Sequence, residues 1–415
     1  MDNILYKNNQ KVIGSIVRLN RIKKNMSQKD LAKGICVPSY LSRIENGELL
    51  PSEDVISILF DRLGLKYNDD DEFIKNGISE FEQFFDNLNF NEFDHTNKLF
   101  DSIEEKEESY ITSPLILDYY LVKLARFCST PERNKFESAK SSILAAYDLL
   151  SQNQEYLYNF YMGVDTLNIK GDIEEGKVYI DKALTLKETG HCYYWLSYIY
   201  RVKNNPIKAY DSIKRALSQY VEEGNFISIM ESYEKTAEVY FMLDNHADAI
   251  SYLKMALRIA QKLNNSYYIE YTNSMIAWSY FKIQDYDKSL DCLRKNSGLI
   301  DHRMIIPDSV IESLIYFTLK DKEKLRESIN KLSSPHSIEH LGEDMANILF
   351  KSFTFYLEND NYLKSPIWEG LLIYIIDGTT KLVELRKVFL SYLKEYYIHN
   401  RRYKDALFLE QNYPS

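Results

Sequence analysis

The sequence predicts an all-α fold, built from a small N-terminal domain and a long body of repeated helical hairpins. Fourteen glycines and nine prolines make up only 23 of 415 residues, about half the usual share, so long helices with short connections are favoured. Apolar residues recur at helical spacing, and one set of small residues returns every 40 residues in the middle of the chain. A chain of this length exceeds a single compact core, so at least two domains are expected.

The charge is divided unevenly along the chain. Residues 1–67 carry 11 Lys or Arg and 7 Asp or Glu, a net +4, whereas the rest carries 40 and 54, a net −14. A basic domain on an acidic body suits contact of the first part, and not of the second, with phosphates. A net +4 is also within ordinary scatter, so the charge alone decides little.

The sequence lacks the patterns of export and of membrane insertion. Met1–Ile4 does not show the basic-then-apolar order of a signal peptide, and apolar stretches such as Leu371–Ile376 are too short to span a bilayer. The cysteines are widely separated and contain no CxxC pair, which indicates reduced, buried thiols. We therefore expect a cytoplasmic protein without membrane contact. The four cysteines are Cys36, Cys128, Cys192 and Cys292.

The first domain contains four predicted helices. Helical spacing of Val12, Ile16, Leu19 and Ile22 predicts a helix over Val12–Lys24. Ser27, with an acid three residues on, begins a second, short helix. Pro38 suits the first turn of a third helix, which runs to Glu45 and ends at Asn46-Gly47. A fourth helix begins near Pro51. The residues expected in the core are Leu31, Ala32, Ile35, Leu41, Ile44, Val55, Ile56, Leu59 and Leu63.

Two short helices joined by a tight turn and supported by two more form a helix-turn-helix. The segments Met26–Ala32 and Ile35–Gly47 resemble the Cro/CI (XRE-type) DNA-binding domain. Their turn is about one residue shorter than in phage repressors, and this shorter form resembles the peptide-responsive RRNPP regulators of the PlcR and NprR types. The resemblance and the groove geometry together predict DNA contacts for Gln28, Pro38, Ser39, Tyr40, Ser42, Arg43 and Asn46.

Within that set the residues have different expected roles. The resemblance implies that Ser39, Ser42 and Arg43 read bases and that Gln28 and Asn46 contact phosphates. Arg43 can form a bidentate contact with a guanine edge. Two alternatives stay open: Arg43 as a solvated or ion-paired surface residue, and Tyr40 as a residue that packs on the second helix.

A charge run at Tyr67–Glu72 indicates a boundary between the first domain and the body. The aromatic-rich segment Phe73–Phe100 is either a bridge or the first helical pair of the body. We assign residues 1–67 to the helix-turn-helix domain, 68–108 to a linker and bridging helices, and 109–415 to the repeats.

The repeats are clearest at residues 156–296. Ala237 is followed by Tyr240, Ala249 and Ala256, and Ser197 and Ala277 begin similar sets 40 residues away on either side. Such small residues let two antiparallel helices approach closely. The spacing resembles the tetratricopeptide repeat (TPR), and an earlier hairpin near Gly163–Ala183 fits with one residue inserted. The predicted body is therefore a TPR-like right-handed helical solenoid with a concave face.

The concave face is the expected site of a ligand. The first helix of each hairpin lines it, and amide side chains there can both donate to and accept from an extended peptide backbone. The predicted peptide-binding residues are Asn168, Tyr194, Tyr198, Arg201, Glu234, Glu238, Tyr271, Asn273, Ser274 and Trp278. Glu231, Glu234 and Glu238 share one helix face, which is either a site for a cationic ligand or a solvated acidic stripe.

No catalytic motif, cofactor or metal site is predicted. His336–His340 matches H-x-x-E-H, but Pro335 and Gly342 leave room for a short helix at most. We therefore expect no enzyme activity. Related Rap proteins act on response regulators through a glutamine in a similar bundle, and Gln83 has only its position in favour of that role.

The resemblance implies a cytoplasmic transcriptional regulator for quorum sensing. It would bind double-stranded DNA as a homodimer, and it would bind a short signalling peptide in its TPR domain. The peptide would change how well the two DNA-binding domains of the dimer fit two half-sites of the operator. Two alternatives remain: a TPR interaction protein that binds a response regulator, as Rap proteins do, and a phage or plasmid repressor.

Overall fold

A computed structural model describes residues 9–297, 306–334, 341–380 and 382–412. Within these residues every regular element is helical. The helices of the first half are α1 Gln10–Lys23, α2 Gln28–Ala32, α3 Pro38–Glu45, α4 Glu53–Arg62, α5 Asp71–Asn89, α6 Phe93–Glu104, α7 Glu107–Ile111, α8 Ile116–Phe127, α9 Arg133–Leu144, α10 Gln152–Asp165, α11 Ile173–Leu186, α12 Gly190–Val202 and α13 Pro206–Glu223. The later helices are α14 Phe226–Met242, α15 His246–Lys262, α16 Ser266–Lys282, α17 Tyr286–Leu293, α18 Asp308–Leu319, α19 Lys322–Ile329, α20 Glu343–Glu358, α21 Pro366–Gly378, α22 Val383–His399 and α23 Tyr403–Asn412.

The chain divides into two compact units, Met1–Ser228 and Ile229–Ser415. The first unit holds α1–α4, which form the helix-turn-helix domain and are called the head below, together with α5–α13. The second holds most of α14 and all later helices. No helix in the described residues is long and apolar enough to cross a membrane.

The head forms the four predicted helices, but Ile35, Val55 and Ile56, which were expected in the core, are only half-buried. The third helix has the expected bounds, Pro38–Glu45, and buries Leu41 and Ile44. Ser27 caps α2 through a reciprocal pair with Asp30, in which each side chain accepts from the other's backbone. Ile22, however, is 42% exposed, and Ile13 and Val17 are buried instead. The buried face of α1 is therefore rotated about the helix axis relative to the predicted one, although Ile16 and Leu19 are buried as predicted.

The predicted linker is shorter than the charge run suggested. Helix α4 ends at Arg62 and Gly64 follows with φ +59°. Asp70 already caps α5 by accepting from the Phe73 N–H, because a carboxylate satisfies a free amide of the first turn. Thus part of the run Tyr67–Glu72 belongs to a helix. Helix α5 and helix α6 form a hairpin around buried aromatic residues: Phe81, Phe84 and Phe100.

The repeats share one type of turn between the two helices of a hairpin. Asn204, Asp244 and Gln284 each have φ between 52° and 64°, a left-handed conformation that ends the first helix of a hairpin. The next residue caps the second helix: Asn205, Asn245 and Asp285 each accept from the N–H three residues on. The predicted small residues lie inside, with Ala237, Ala249 and Ala256 fully buried. This confirms hairpins of the TPR kind at α12–α13, α14–α15 and α16–α17.

The hairpin α10–α11 contains the inserted residue that its sequence indicated. Thr166–Lys170 is a π-helical turn at the end of α10, and such a turn accommodates one extra residue in a helix. The two helices still approach closely, since a Cβ added to Gly163 would lie 2.7 Å from Ile180 Cδ1 and one on Gly176 2.5 Å from Leu167 Cδ2. A larger residue at either position would force the facing Ile180 or Leu167 side chain to shift.

Candidate DNA-binding and ligand-binding surfaces

Helix α3 presents one face to solvent. Pro38 and Ser39 are exposed at its start, and the Arg43 side chain is 59% exposed near its end. Tyr40 and Ser42 are half-buried. Arg43 lies 3.7 Å from the exposed Glu48 carboxylate, an exposed pair worth about 0–1 kcal/mol at most. The guanidinium is therefore available to another acceptor at little cost.

A buried ion pair fixes the inner side of α3. Glu45 is 1% exposed and accepts from Arg21 Nε at 2.6 Å and from Arg21 Nη2 at 2.9 Å. Gln28 Nε2 donates to the same carboxylate at 2.7 Å, and Arg21 Nη1 donates to the Met26 carbonyl at 2.8 Å. One carboxylate thus joins α1, α2 and α3 and sets their mutual orientation.

This network also changes the expected role of Gln28. Its half-buried amide is engaged with Glu45, so a phosphate contact needs a change of partner. Asn46 is exposed, with Nδ2 3.4 Å from Glu48 Oε1. The sequence pattern does not mark Arg21 or Glu45 as functional residues. The only signal was that Arg21 lies off the apolar stripe of α1, which is typical of surface residues.

Two glycines allow the helices of the head to meet their neighbours. A Cβ on Gly14 in α1 would lie 2.5 Å from the Ile44 carbonyl oxygen of α3. Gly47 has φ +64°, and a Cβ there would lie 2.9 Å from Leu149 Cδ2. The first contact brings α1 and α3 together, and the second brings the end of α3 against the 147–149 turn.

The head is attached to α7 and to the turn 147–149 within the first unit. Asn20 is 3% exposed and donates to the Ile111 carbonyl at 2.9 Å. Arg18 Nη1 donates to both oxygens of Asp148, at 2.8 and 3.1 Å. Lys23 lies 3.7 Å from Glu107. A buried amide and two ion pairs therefore hold the helix-turn-helix in one orientation on its support.

In the first unit, the predicted ligand residues on α12 form an aromatic row. Trp195 makes edge-to-face contacts with Tyr194 at 6.0 Å and Tyr198 at 5.7 Å between ring centroids. The Arg201 guanidinium lies 5.8 Å from the Tyr198 ring centroid, within cation–π range. These four side chains are half-buried. Asn168 lies apart from this row, on the π turn, where it is exposed and donates to Ser129.

In the second unit, the acidic residues of α14 are bonded to α16. Tyr268 donates to Glu231 and Thr272 donates to Glu234, both at 2.7 Å. Glu234 is 2% exposed, and burial raises the pKa of its carboxyl to about 7, against the Thr272 bond. Burial likewise raises the pKa of Glu231. Half-buried Glu238 pairs with Lys235 at 2.7 Å, and half-buried Tyr271 stacks on Tyr267.

Three predicted ligand residues of α16 are in the interior instead. Asn273 donates to Asn296, and Ser274 donates to Asp308 at 2.6 Å. Trp278 is 2% exposed in an apolar core. Helix α16 is covered on most of its circumference, so the spacing that placed these residues on a ligand face is wrong for them. Glu234 is likewise buried, whereas Glu238 and Tyr271 keep part of their side chains accessible.

Two further sequence motifs have different outcomes. His336–His340 lies outside the described residues. Gln83 on α5 is exposed and lines a cavity of about 420 Å³ together with Asn87, Glu92, His95, Lys98, Leu99 and Ser102.

Comparison with known proteins gives three kinds of relative. The helix-turn-helix family HTH_3 matches residues 17–69, which include α2, α3 and α4. The chain is 23% identical over 312 residues to the transcriptional activator NprA of Geobacillus stearothermophilus, covering 71% of this chain and 75% of NprA. The apo form of the quorum sensor NprR from B. thuringiensis has a similar fold, with a TM-score of 0.62, 15% identity, and coverage of 81% of this chain and 97% of NprR.

Two peptide or factor complexes also have a similar fold. NprR in complex with its cognate peptide NprX matches with a TM-score of 0.52 and 15% identity, covering 80% of this chain and 98% of that one. A Rap protein complexed with competence and sporulation factor matches with a TM-score of 0.61 and 14% identity, covering 81% and 96%. At these identities the structural matches concern the fold alone.

A helix-turn-helix head on a body of TPR-type hairpins defines a class of regulators that couple a DNA-binding domain to a repeat scaffold. The chain thus combines a helix-turn-helix domain of the HTH_3 family at residues 17–69 with a body whose fold is similar to that of the quorum sensor NprR.

Proposed function

We propose that the chain is a cytoplasmic transcriptional regulator that binds operator DNA through α3 and a short signalling peptide through its repeats. One observation carries this proposal. Helix α3 exposes Ser39 and Arg43, while a buried carboxylate on its other side locks it to α1 and α2. A rigidly held helix with an exposed polar face is what major-groove reading requires.

The DNA contact is chiefly that of Arg43. The major groove admits an α-helix, and an arginine can donate two hydrogen bonds to one guanine edge. Breaking the Arg43–Glu48 ion pair costs little free energy, because both side chains of that pair are more than half exposed. In this proposal Ser39 and Ser42 make further base contacts and Pro38 and Tyr40 make apolar ones. Asn46 contacts a phosphate, and Gln28 does so once its amide leaves Glu45.

The peptide contact involves accessible side chains in each unit. Tyr198 and Arg201 on α12, with Tyr194 beside them, offer ring faces and a cation. In the second unit, half-buried Glu238 and Tyr271 offer a carboxylate and a ring. A peptide with apolar and charged residues suits such surfaces. The solved relative NprR binds a cognate peptide, which supports this class of ligand. Asn168 is a further candidate on the first unit.

The same proposal covers assembly and organisation. Residues 1–67 act as the DNA-binding domain, 68–108 as linker and bridging helices and 109–415 as the receptor, and two chains bind two half-sites. The protein acts by binding rather than by catalysis. A response regulator is a second candidate partner, because Gln83 faces a cavity on the α5–α6 hairpin.

The test is operator selection with purified full-length protein, comparing Arg43→Ala with Arg294→Ala. Arg294 is equally exposed and ion-paired, but lies on the body. We expect Arg43→Ala to lose about 1–3 kcal/mol of preference for selected over random DNA, and Arg294→Ala to lose none. If Arg43→Ala weakened binding equally for every sequence, a base-reading role would be refuted.

The proposed peptide binding is tested separately by titration calorimetry with synthetic heptapeptides. Glu238→Gln should weaken the binding of a peptide that carries a cation by about two- to fivefold, the size of one solvent-screened charge pair. Glu323→Gln, an exposed acid on α19, is the matched control. Equal affinities of the wild type and of both variants would remove Glu238 from the site.

A further inference from the structure

Three metal-ligating side chains converge in the second unit. Asp244 lies in the turn between α14 and α15, His246 is the first residue of α15, and Glu384 lies in the first turn of α22. His246 Nε2 is 3.4 Å from Asp244 Oδ1 and 4.0 Å from Glu384 Oε2. One ligand atom from each residue lies within 4.8 Å of the other two. The cluster joins segments that are 138 residues apart in the sequence.

The central histidine lacks hydrogen-bond partners. His246 is 3% exposed, and neither ring nitrogen makes a hydrogen bond within the described residues. Glu384 Oε2, which faces it, is also buried without a hydrogen bond. Leaving buried polar groups without partners is costly, so natural proteins rarely keep them together without a ligand. Phe241 stacks on the imidazole at 5.1 Å between ring centroids and holds its orientation.

We propose that Asp244, His246 and Glu384 bind a divalent transition-metal ion of the Zn²⁺ class. One imidazole and two carboxylates are ligands that Zn²⁺ accepts, and metal–ligand bonds of about 2.0–2.2 Å in a tetrahedron separate the ligands by about 3.3–3.6 Å. The 3.4 Å separation already fits, and the 4.0 Å one needs a movement of a few tenths of an ångström. Water completes the coordination.

Lys282 competes with the ion. Its ammonium lies 3.6 Å from Asp244 and 3.8 Å from Glu384, and Lys387 lies 3.2 Å from the other oxygen of Glu384. A dication cannot share the two carboxylates with an ammonium at that distance. Lys282 is the last residue of α16 and partly exposed, so its flexible stem can turn towards solvent when the metal binds.

The bound metal links two segments of the second unit. It connects the α14–α15 turn to the start of α22, and the free energy of binding adds to the stability of this unit. In the absence of metal, the Lys282 ammonium lies beside the two carboxylates. The affinity for the metal ion therefore depends on the free energy of displacing this ammonium. This property is separate from DNA and peptide binding.

The experiment is titration of metal-free full-length protein with ZnCl₂ by calorimetry, with Co²⁺ absorption as a spectroscopic check on coordination. We expect one saturable site per chain and a rise in the thermal unfolding midpoint. Glu384→Gln, which keeps the shape of the side chain, and His246→Ala should weaken binding by on the order of a hundredfold. Lys282→Met should strengthen binding by about tenfold, because it removes the competing charge.

His399→Ala is the matched control, since His399 is an exposed histidine at the end of α22. It should bind Zn²⁺ as the wild type does. The proposal is overturned if the wild type shows no saturable site, if Glu384→Gln and His399→Ala bind equally well, or if Lys282→Met binds more weakly than the wild type. Because Glu384→Gln and Lys282→Met keep the buried imidazole, they remain informative even if His246→Ala does not fold.

Discussion

Replacing Glu45 by glutamine should loosen the head while leaving the rest of the chain folded. Glu45 is 1% exposed and receives three hydrogen bonds, two of them from Arg21, whose side chain is 13% exposed. Solvent therefore screens this pair weakly. Leaving one partner of a buried ion pair alone costs about 3–5 kcal/mol.

Glutamine recovers part of that cost. Its carbonyl oxygen still accepts one bond, worth about 1 kcal/mol, and Arg21 Nη1 keeps the Met26 carbonyl. The expected loss is about 2–4 kcal/mol, which corresponds to opening of the head about 30 to 700 times more often. The orientation of α3 depends on the same carboxylate, so specific DNA binding should fall as well.

Amide hydrogen exchange is the suitable assay, because the three tryptophans, Trp195, Trp278 and Trp368, all lie outside the head and intrinsic fluorescence would not report it. Exchange should accelerate in α1–α3 and stay unchanged in α10–α13. The matched control is Glu48→Gln, which removes an exposed carboxylate 3.7 Å from Arg43 and should change stability by less than about 0.5 kcal/mol. Equal protection of α1–α3 in the two variants would refute the reasoning.

Two further predictions concern buried polar groups. Asn20→Ala removes the donor to the Ile111 carbonyl, which should cost about 1–3 kcal/mol and raise hydrogen exchange in α7 and the head together; a change confined to α1 would contradict the role of Asn20 as an anchor. Burial raises the pKa of Glu234 from 4.5 to about 7, so the folded state holds more protons than the unfolded state between these values, and the stability contributed by this group is lost as pH rises through that window. Glu234→Gln should therefore reduce the fall in unfolding midpoint between pH 5 and pH 7 relative to the wild type and to Glu323→Gln, and an unchanged pH dependence would show that Glu234 is not the titrating group.

The sequence by itself determined the local elements. Pro38 at a first helical turn and Asn46-Gly47 after the last one defined α3 to the residue, because caps and proline act within one turn of the chain. The 40-residue recurrence of small residues located the hairpins α12–α17, and one inserted residue signalled the π turn at Thr166–Lys170. These features depend on neighbours close in sequence.

The tertiary structure alone decided which side chains are accessible. Trp278, Asn273 and Ser274 have the spacing of a ligand face but lie in the interior, since long-range packing covers α16 on more sides than periodicity reveals. The Arg21–Glu45 pair and the cluster of Asp244, His246 and Glu384 join residues 24 to 140 positions apart. Contacts between residues so far apart cannot be read from a single sequence, because they depend on how whole helices pack against each other.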